Sequence, residues 1–431
     1  MENIHHLKDT QFNSVLKRYG TPSFIYDGHV IEQCYDTLNQ SMGDSVDIYY
    51  SLKANPAVAI ANILQKKGAG VEVCSGGEIE LALAAGFSPD KMIFVGPAKK
   101  THELARAIQL RIGAIVCESE EEFLLINELA RTGSVVANVL LRVNPAFAVR
   151  NASLKMGGVP SQFGMDEEKV FEKRDFFMQR KNIRVLGIQV FCATRILEES
   201  ILFENTNHIL QLFERLSSHW QVNFSHLDIG GGFGVPYYAE EQSLRLSKLQ
   251  HLMLPLLQKF KSKFPFVQLM AESGRYLVAE SGIFISRIVS IRESRGIHFL
   301  ITDGGMNCHL TAAGYGSVLK RNFPIRLLSE KSNTDKKHYH IAGPLCTPAD
   351  LMGRNVLLPL AEIGDCILIA ASGAYGPSAS PVYFLGHGYP SEVLIHNGET
   401  TVIRARDTTQ DLVRKYQVTP SAYLNSFSLP A

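Results

Sequence analysis

A lysine, a glutamate, an arginine and a run of glycines are the residues of this 431-residue chain whose placement suggests chemistry. Lys53 lies in Tyr49-Tyr50-Ser51-Leu52-Lys53-Ala54-Asn55-Pro56. The β-branched and aromatic run from Val46 to Tyr50 reads as a buried strand, and Asn55-Pro56 ends it, so Lys53 falls where strand gives way to loop. Burial lowers a lysine pKa, and a neutral amine forms an imine with an aldehyde. Taken alone, such a lysine is more simply a surface residue at a strand end. Two stretches downstream change that balance. In Asp228-Ile229-Gly230-Gly231-Gly232-Phe233-Gly234, consecutive glycines let backbone N–H groups turn to one point and approach an anion, which suits a phosphate. In Ala271-Glu272-Ser273-Gly274-Arg275-Tyr276, Gly274 and Arg275 add an N–H group and a cation for the same phosphate. A ligand with a phosphate, an aldehyde for Lys53 and a basic ring nitrogen for Glu272 is pyridoxal 5′-phosphate. A carboxylate beside the pyridine nitrogen keeps it protonated and makes the ring a strong electron sink, which favours α-decarboxylation over racemisation.

The elements must bring these stretches together. From about 46 to 272 the pattern alternates strand with helix, with candidate strands at 46–50, 70–74, 92–96, 112–117, 137–143, 183–191, 225–230 and 266–271. Eight such units predict a (β/α)8 barrel, whose functional residues gather at the C-terminal strand ends. Lys53, the glycines and Glu272 follow the first, seventh and eighth strands, and closure sets the eighth beside the first. After about 280 the chain reads as strands without long helices: Ile283 to Ile291, Ile297 to Thr302, Lys337 to Ile341, Val356 to Leu360, Cys366 to Ala371 and Glu392 to Ile395. The expected organisation is a barrel over 28–280, with 1–27 and 281–431 forming an all-β domain. The short strand Thr21 to Tyr26 is expected to join it, and Ser329 to Lys337 reads as an exposed loop.

Composition narrows the function classes. Charged residues make up 20% and the net charge is +1, so no overall field favours nucleic acid or an anionic membrane. No apolar run has membrane-spanning length, and the first residues lack a signal-peptide core. The seven cysteines are scattered without C-x-x-C spacing, which fits reduced thiols in a cytoplasmic protein. The fourteen histidines show no H-E-x-x-H pattern, so no metal is expected.

Taken in order, Tyr50 to Asn55, Gly230 to Gly234, Glu272 to Arg275, Gly343-Pro344-Leu345-Cys346 before Asp350, and Gly373-Ala374-Tyr375-Gly376 resemble the fold-type III pyridoxal-phosphate-dependent decarboxylases, the diaminopimelate, ornithine and arginine decarboxylase family. That resemblance implies an alanine-racemase-like barrel and a homodimer with shared active sites. Lys53 is then the cofactor-binding lysine and Glu272 the partner of the ring nitrogen. Gly232, Gly274, Arg275, Thr194 and Tyr375 surround the phosphate, and Ser273 is a further cofactor contact. Cys346 reaches the site from the second subunit and returns a proton after carbon dioxide leaves.

Departures from the family pattern bear on the substrate. Phe191 stands where a histidine usually covers the cofactor ring, and Glu72 where an aspartate is common. Thr347 follows Cys346 in place of an acidic residue that binds a distal ammonium, and Thr311 replaces an arginine that binds a distal carboxylate. Tyr315 and Thr347 are the expected substrate contacts. Local stretches such as Lys155 to Pro160, Gln162 to Asp166 and Gly232 to Tyr237 are similar to the butirosin-pathway branch of the family, which acts on L-glutamate attached to an acyl carrier protein, and to siderophore-pathway decarboxylases. The expected activity is therefore decarboxylation of a conjugated L-amino acid in secondary metabolism. Lysine production from diaminopimelate and a non-catalytic regulatory role are the alternatives. Lys99, Lys100 and Arg195 read as solvated charges rather than contacts to such a conjugate.

Overall fold

The computed structural model describes residues 7–148, 154, 155, 157–315, 321–329 and 335–416. Its first sheet closes on itself. The strands Val46–Ser51 (β2), Gly70–Val73 (β3), Met92–Phe94 (β4), Ala114–Cys117 (β5), Ala137–Asn144 (β6), Ile183–Gln189 (β7), His226–Asp228 (β8) and Gln268–Ser273 (β9) run parallel, each beside the next, and β9 pairs with β2. All eight predicted barrel strands form, with ends shifted by one to a few residues. Alternation sorts their side chains into two sets. Tyr49, Ile93, Ala114, Val116, Leu140, Leu186 and Met270 pack together inside the barrel, while Ile48, Val71, Val73, Ile115, Val139 and Leu227 join the larger core of the surrounding helices. Towards the C-terminal ends of the strands the buried interior turns polar, at Glu72, Gln189, Asp228 and Glu272. A bulge opposite Val139 and Leu140 leaves Leu186 unpaired on β7 and re-aims the rest of that strand, so Gln189 faces Glu272.

The second sheet joins Ser23–Asp27 (β1) to Gly282–Ser294 (β10), Ile297–Thr302 (β11), Ile325–Leu328 (β12), Lys336–Ala342 (β13), Leu351–Pro359 (β14), Cys366–Ile369 (β15), Ser391–His396 (β16) and Glu399–Arg404 (β17). The predicted Thr21 to Tyr26 strand does join it, lying between β10 and β16. Helix Asp9–Tyr19 (α1) covers one face, burying Phe12, Val15 and Leu16 at helical spacing against Ile25, Ile283, Ile285 and Val393. Two strands escape the sequence pattern. Ile325–Leu328 is four residues long, and Glu399–Arg404 is a mostly exposed edge whose sequence lacks an apolar alternation. The predicted loop from Ser329 to Lys337 lies partly outside the described residues, and Lys336 already begins β13. Among the described residues, no helix is long and apolar enough to cross a membrane.

Candidate active site

β2 ends at Ser51, and a single 3-10 turn, Leu52–Ala54, carries Lys53 out over the barrel mouth. Tyr50 anchors that turn from below, donating from its buried hydroxyl to the Asn55 carbonyl at 2.7 Å. A loop after β15 clasps it from above. The Tyr375 N–H donates to the Ala54 carbonyl at 2.7 Å, and Asn55 Nδ2 donates to the Gly373 carbonyl at 2.9 Å. The two sheets therefore meet at Lys53.

Lys53 Nζ lies 2.5 Å from Oε1 of the fully buried Glu72 and 3.9 Å from Cys74 Sγ, while its own side chain is 40% exposed to the mouth. Burial pushes its ammonium down, but the facing acidic groups, led by Glu72, outweigh burial and hold it well above the ordinary lysine value. This corrects the expectation of a depressed, neutral lysine, which weighs burial and leaves out a carboxylate on the neighbouring strand. Glu72 responds in kind: burial opposes its charge, but Lys53 holds its carboxyl below the usual range.

Three buried carboxylates share this mouth with one lysine, so the site is short of positive charge. Gln189 Nε2 donates to Glu272 Oε1 at 3.0 Å. Burial, then the charge of Glu72, raises Glu272 to about 7 against the pull of Lys53. Asp228 is raised well above the carboxylate range, by burial and then by Glu272. Its Oδ2 is buried without a hydrogen-bond partner. Neither Gln189 nor Asp228 stands out in the sequence. The available signal was positional: Asp228 stands two residues before Gly230 on a strand beside that of Glu272.

The glycines are demanded by the fold itself. A Cβ on Gly231 would stand 2.1 Å from the Glu272 carbonyl, and one on Gly232, which has φ of 105°, 2.7 Å from the Ala193 carbonyl. At Gly274 it would meet Ala54 and Ser51 at 2.8 and 2.9 Å. The Ile196 N–H donates to the Gly232 carbonyl at 2.9 Å, tying the Thr194 segment to the glycine loop. Arg275 completes the cluster. Its guanidinium lies 4.5 Å from the Tyr375 ring centroid and donates to the Tyr237 hydroxyl at 2.8 Å, and its Nε, like Ser273 Oγ, is buried without a partner. Phe191 packs its ring on the same loop, where a Cβ on Gly230 would lie 3.3 Å from Cδ2. Lys53, Phe191, Thr194, Gly232, Glu272, Ser273, Gly274, Arg275 and Tyr375 thus cluster at one barrel end.

Cys346, Thr347 and Tyr315 do not join them. Cys346 is exposed on the turn between β13 and β14. Among the described residues, no hydrogen bond links it to the Lys53 cluster. Its turn is nonetheless firmly built, because buried Asp350 accepts from the N–H groups of Leu345 at 2.8 Å and Met306 at 2.7 Å. Thr347 Oγ1 accepts from the Ala349 N–H within the same turn, and Tyr315 is 75% exposed. The solvated reading of Lys99 and Arg195 is also corrected. Lys99 is buried and bound by Glu122 and two carbonyls, and Arg195 lies over the rings of Tyr237 and Tyr238 and pairs with Glu241. Both have fixed partners of opposite charge. Lys100 stays exposed, and Met156 of the Lys155 to Pro160 stretch lies outside the described residues.

Residues 28–279 match the family described as pyridoxal-dependent decarboxylase, pyridoxal binding domain. The chain is 36% identical to the L-glutamyl-[BtrI acyl-carrier protein] decarboxylase of Niallia circulans, over 97% of this chain and 99% of the relative. It is 31% identical to the diaminopimelate decarboxylase of Methanothermobacter thermautotrophicus, over 93% of this chain and 92% of the relative. The crystal structure of diaminopimelate decarboxylase from M. jannaschii superposes with a TM-score of 0.85 at 28% identity, covering 94% of each chain. The residues at the barrel mouth fit the cofactor that this family uses. A lysine, an unpartnered buried guanidinium N–H beside a glycine cradle and a buried carboxylate answer its aldehyde, phosphate and ring nitrogen. The chain belongs to the pyridoxal-dependent decarboxylases, carboxy-lyases whose cofactor is pyridoxal 5′-phosphate.

Proposed function

We propose that the chain removes the α-carboxylate of an L-amino acid presented on a larger conjugate, with an amino acid tethered to an acyl carrier protein as the leading substrate and a siderophore precursor as the second. The observation that carries this reading is the absence of charge at the two positions that would hold the far end of diaminopimelate. Thr311 spends its hydroxyl on the Tyr375 carbonyl at 3.1 Å, and Thr347 offers only a turn-bound hydroxyl. A free ammonium or carboxylate brought into such a site loses its water without gaining a counter-charge, a penalty of several kcal/mol. A tethered amino acid carries no charge there. The 36% identity to a decarboxylase named for a carrier-bound glutamyl substrate supports the same reading.

Bound pyridoxal phosphate supplies an aldehyde and a protonated ring that takes up the electron pair left by departing carbon dioxide. Lys53 Nζ would hold the aldehyde, and Glu72, whose Oε1 lies 2.5 Å from Nζ, orients it there as its counter-ion. Glu272 would keep the ring nitrogen protonated, with Gln189 Nε2 donating to its Oε1 at 3.0 Å to fix the carboxylate in place. Gly232, Gly274, Arg275, Thr194 and Tyr375 would hold the phosphate, with Ser273 as a further cofactor contact, and Phe191 would cover a ring face. Cys346 returns the proton to the α-carbon. Its exposure, away from Lys53 of its own chain, suits a residue that completes the site of a second copy, so the working unit is a homodimer. Residues 28–280 form the cofactor-binding unit, and 1–27 with 281–431 the unit that reaches the partner.

Single-turnover release of carbon dioxide tests the reading, comparing a glutamyl carrier-protein thioester with free glutamate, ornithine and diaminopimelate. Release from the thioester alone is expected. Rapid lysine formation from diaminopimelate would overturn the substrate assignment and leave the decarboxylase in place.

A further inference from the structure

Where β1 and β16 end side by side, His29, Glu32 and His396 meet from two distant parts of the chain. His29 and Glu32 sit one turn apart at the start of helix Gly28–Met42 (α2), and His396 ends β16. Their ligand atoms all lie within 4.8 Å of one another. Each oxygen of the Glu32 carboxylate faces one imidazole nitrogen: Oε2 is 3.5 Å from His29 Nδ1, and Oε1 is 3.3 Å from His396 Nε2. These separations are long for hydrogen bonds, and His396 Nε2 is buried with no hydrogen-bond partner. Bonds of about 2.0–2.2 Å place tetrahedral ligands roughly 3.3–3.6 Å apart, so with one oxygen of Glu32 as the ligand one edge of such a shell is already formed and the third atom, within 4.8 Å of the others, has a short gap to close.

The surroundings hold the ligands in place. A Cβ on Gly28 would stand 2.6 Å from the His396 ring, so only glycine lets that ring lie against the helix start. Asp27 caps the helix, accepting from the His29 N–H at 3.0 Å with Oδ1, while its Oδ2 is buried and unpartnered. His29 is half-exposed, so its ring is free to close the remaining gap and one coordination position stays open to water.

We infer that His29, Glu32 and His396 form a binding site for a borderline divalent cation, zinc foremost, that staples the first barrel helix to the last hairpin of the second sheet. Two imidazoles and a carboxylate select zinc, cobalt or nickel over magnesium and calcium, which prefer all-oxygen shells. The site lies outside the decarboxylation chemistry.

Cobalt(II) titrated into chelator-stripped, pyridoxal-phosphate-loaded enzyme tests this. The expected result is one cobalt per chain, visible d–d bands between the protein and near-infrared regions, and displacement by zinc. His29→Ala, a surface change, and Glu32→Gln are expected to weaken binding at least tenfold and to abolish the rise in Tm that zinc gives the parent, with cofactor absorbance unchanged. Absence of stoichiometric binding, or binding that survives both variants and disappears instead in Cys346→Ala, would overturn the site.

Discussion

Replacing Glu272 by glutamine should stabilise the cofactor-free protein while destroying its activity. Glu272 is 2% exposed and its carboxyl is raised from 4.5 to about 7, by burial and then by Glu72. The folded chain therefore binds this proton more tightly than the unfolded chain does. The resulting stability is fully present below the unfolded value and is lost as pH rises through the folded one. A rise of about 2.5 units, at about 1.4 kcal/mol each, puts the loss near ~3 kcal/mol by pH 8. Glutamine carries no proton to lose. Its Oε1 can still accept from Gln189 Nε2, and its amide can donate to Asp228, so the hydrogen bonds survive. Asp228 also escapes the charge that helps to raise it, which acts in the same direction. Urea unfolding at fixed protein concentration should give nearly equal stabilities for parent and variant at pH 5. At pH 8 the variant should lead by up to ~3 kcal/mol. With cofactor, kcat should fall by on the order of 10²-fold or more, because no carboxylate then holds the ring proton. Parent and variant stabilities that stay parallel from pH 5 to 8 would refute the reasoning.

Two further outcomes test the architecture. Lys53→Ala and Cys346→Ala should each be inactive alone, yet random exchange of subunits should restore about a quarter of parental activity, since half of the dimers then hold one intact site of two; no recovery would place both residues in one subunit's site. Asp350→Ala removes the acceptor of two backbone N–H groups beside Cys346. It should cost ~2–4 kcal/mol in unfolding measurements and lower kcat while leaving cofactor affinity unchanged.

The barrel was legible because its signals are local. Each strand is a short apolar run, and Lys53, the glycines and Glu272 stand at strand ends that the fold forces into one mouth. The charge state of Lys53 was not legible, because it depends on Glu72 across the β2–β3 ladder, and a pKa answers to distance rather than to sequence order. Asp228 escaped notice for a related reason: an acidic residue in a strand signals nothing until its neighbour is seen to be another carboxylate. The glycines stand out in the sequence for their approach to an anion, whereas backbone crowding already requires them. Likewise His29 and His396 share no motif; a parallel pairing of β1 with β16 brings them together.

Which amino acid the site accepts is the central question, and internal competition measures it directly. Enzyme loaded with pyridoxal phosphate is given equal concentrations of diaminopimelate and a glutamyl carrier-protein thioester, and both products are counted by mass at low conversion. Their ratio is the ratio of kcat/KM. A site without distal charges predicts that the decarboxylated thioester dominates by at least ~10²-fold. An excess of lysine would contradict the account.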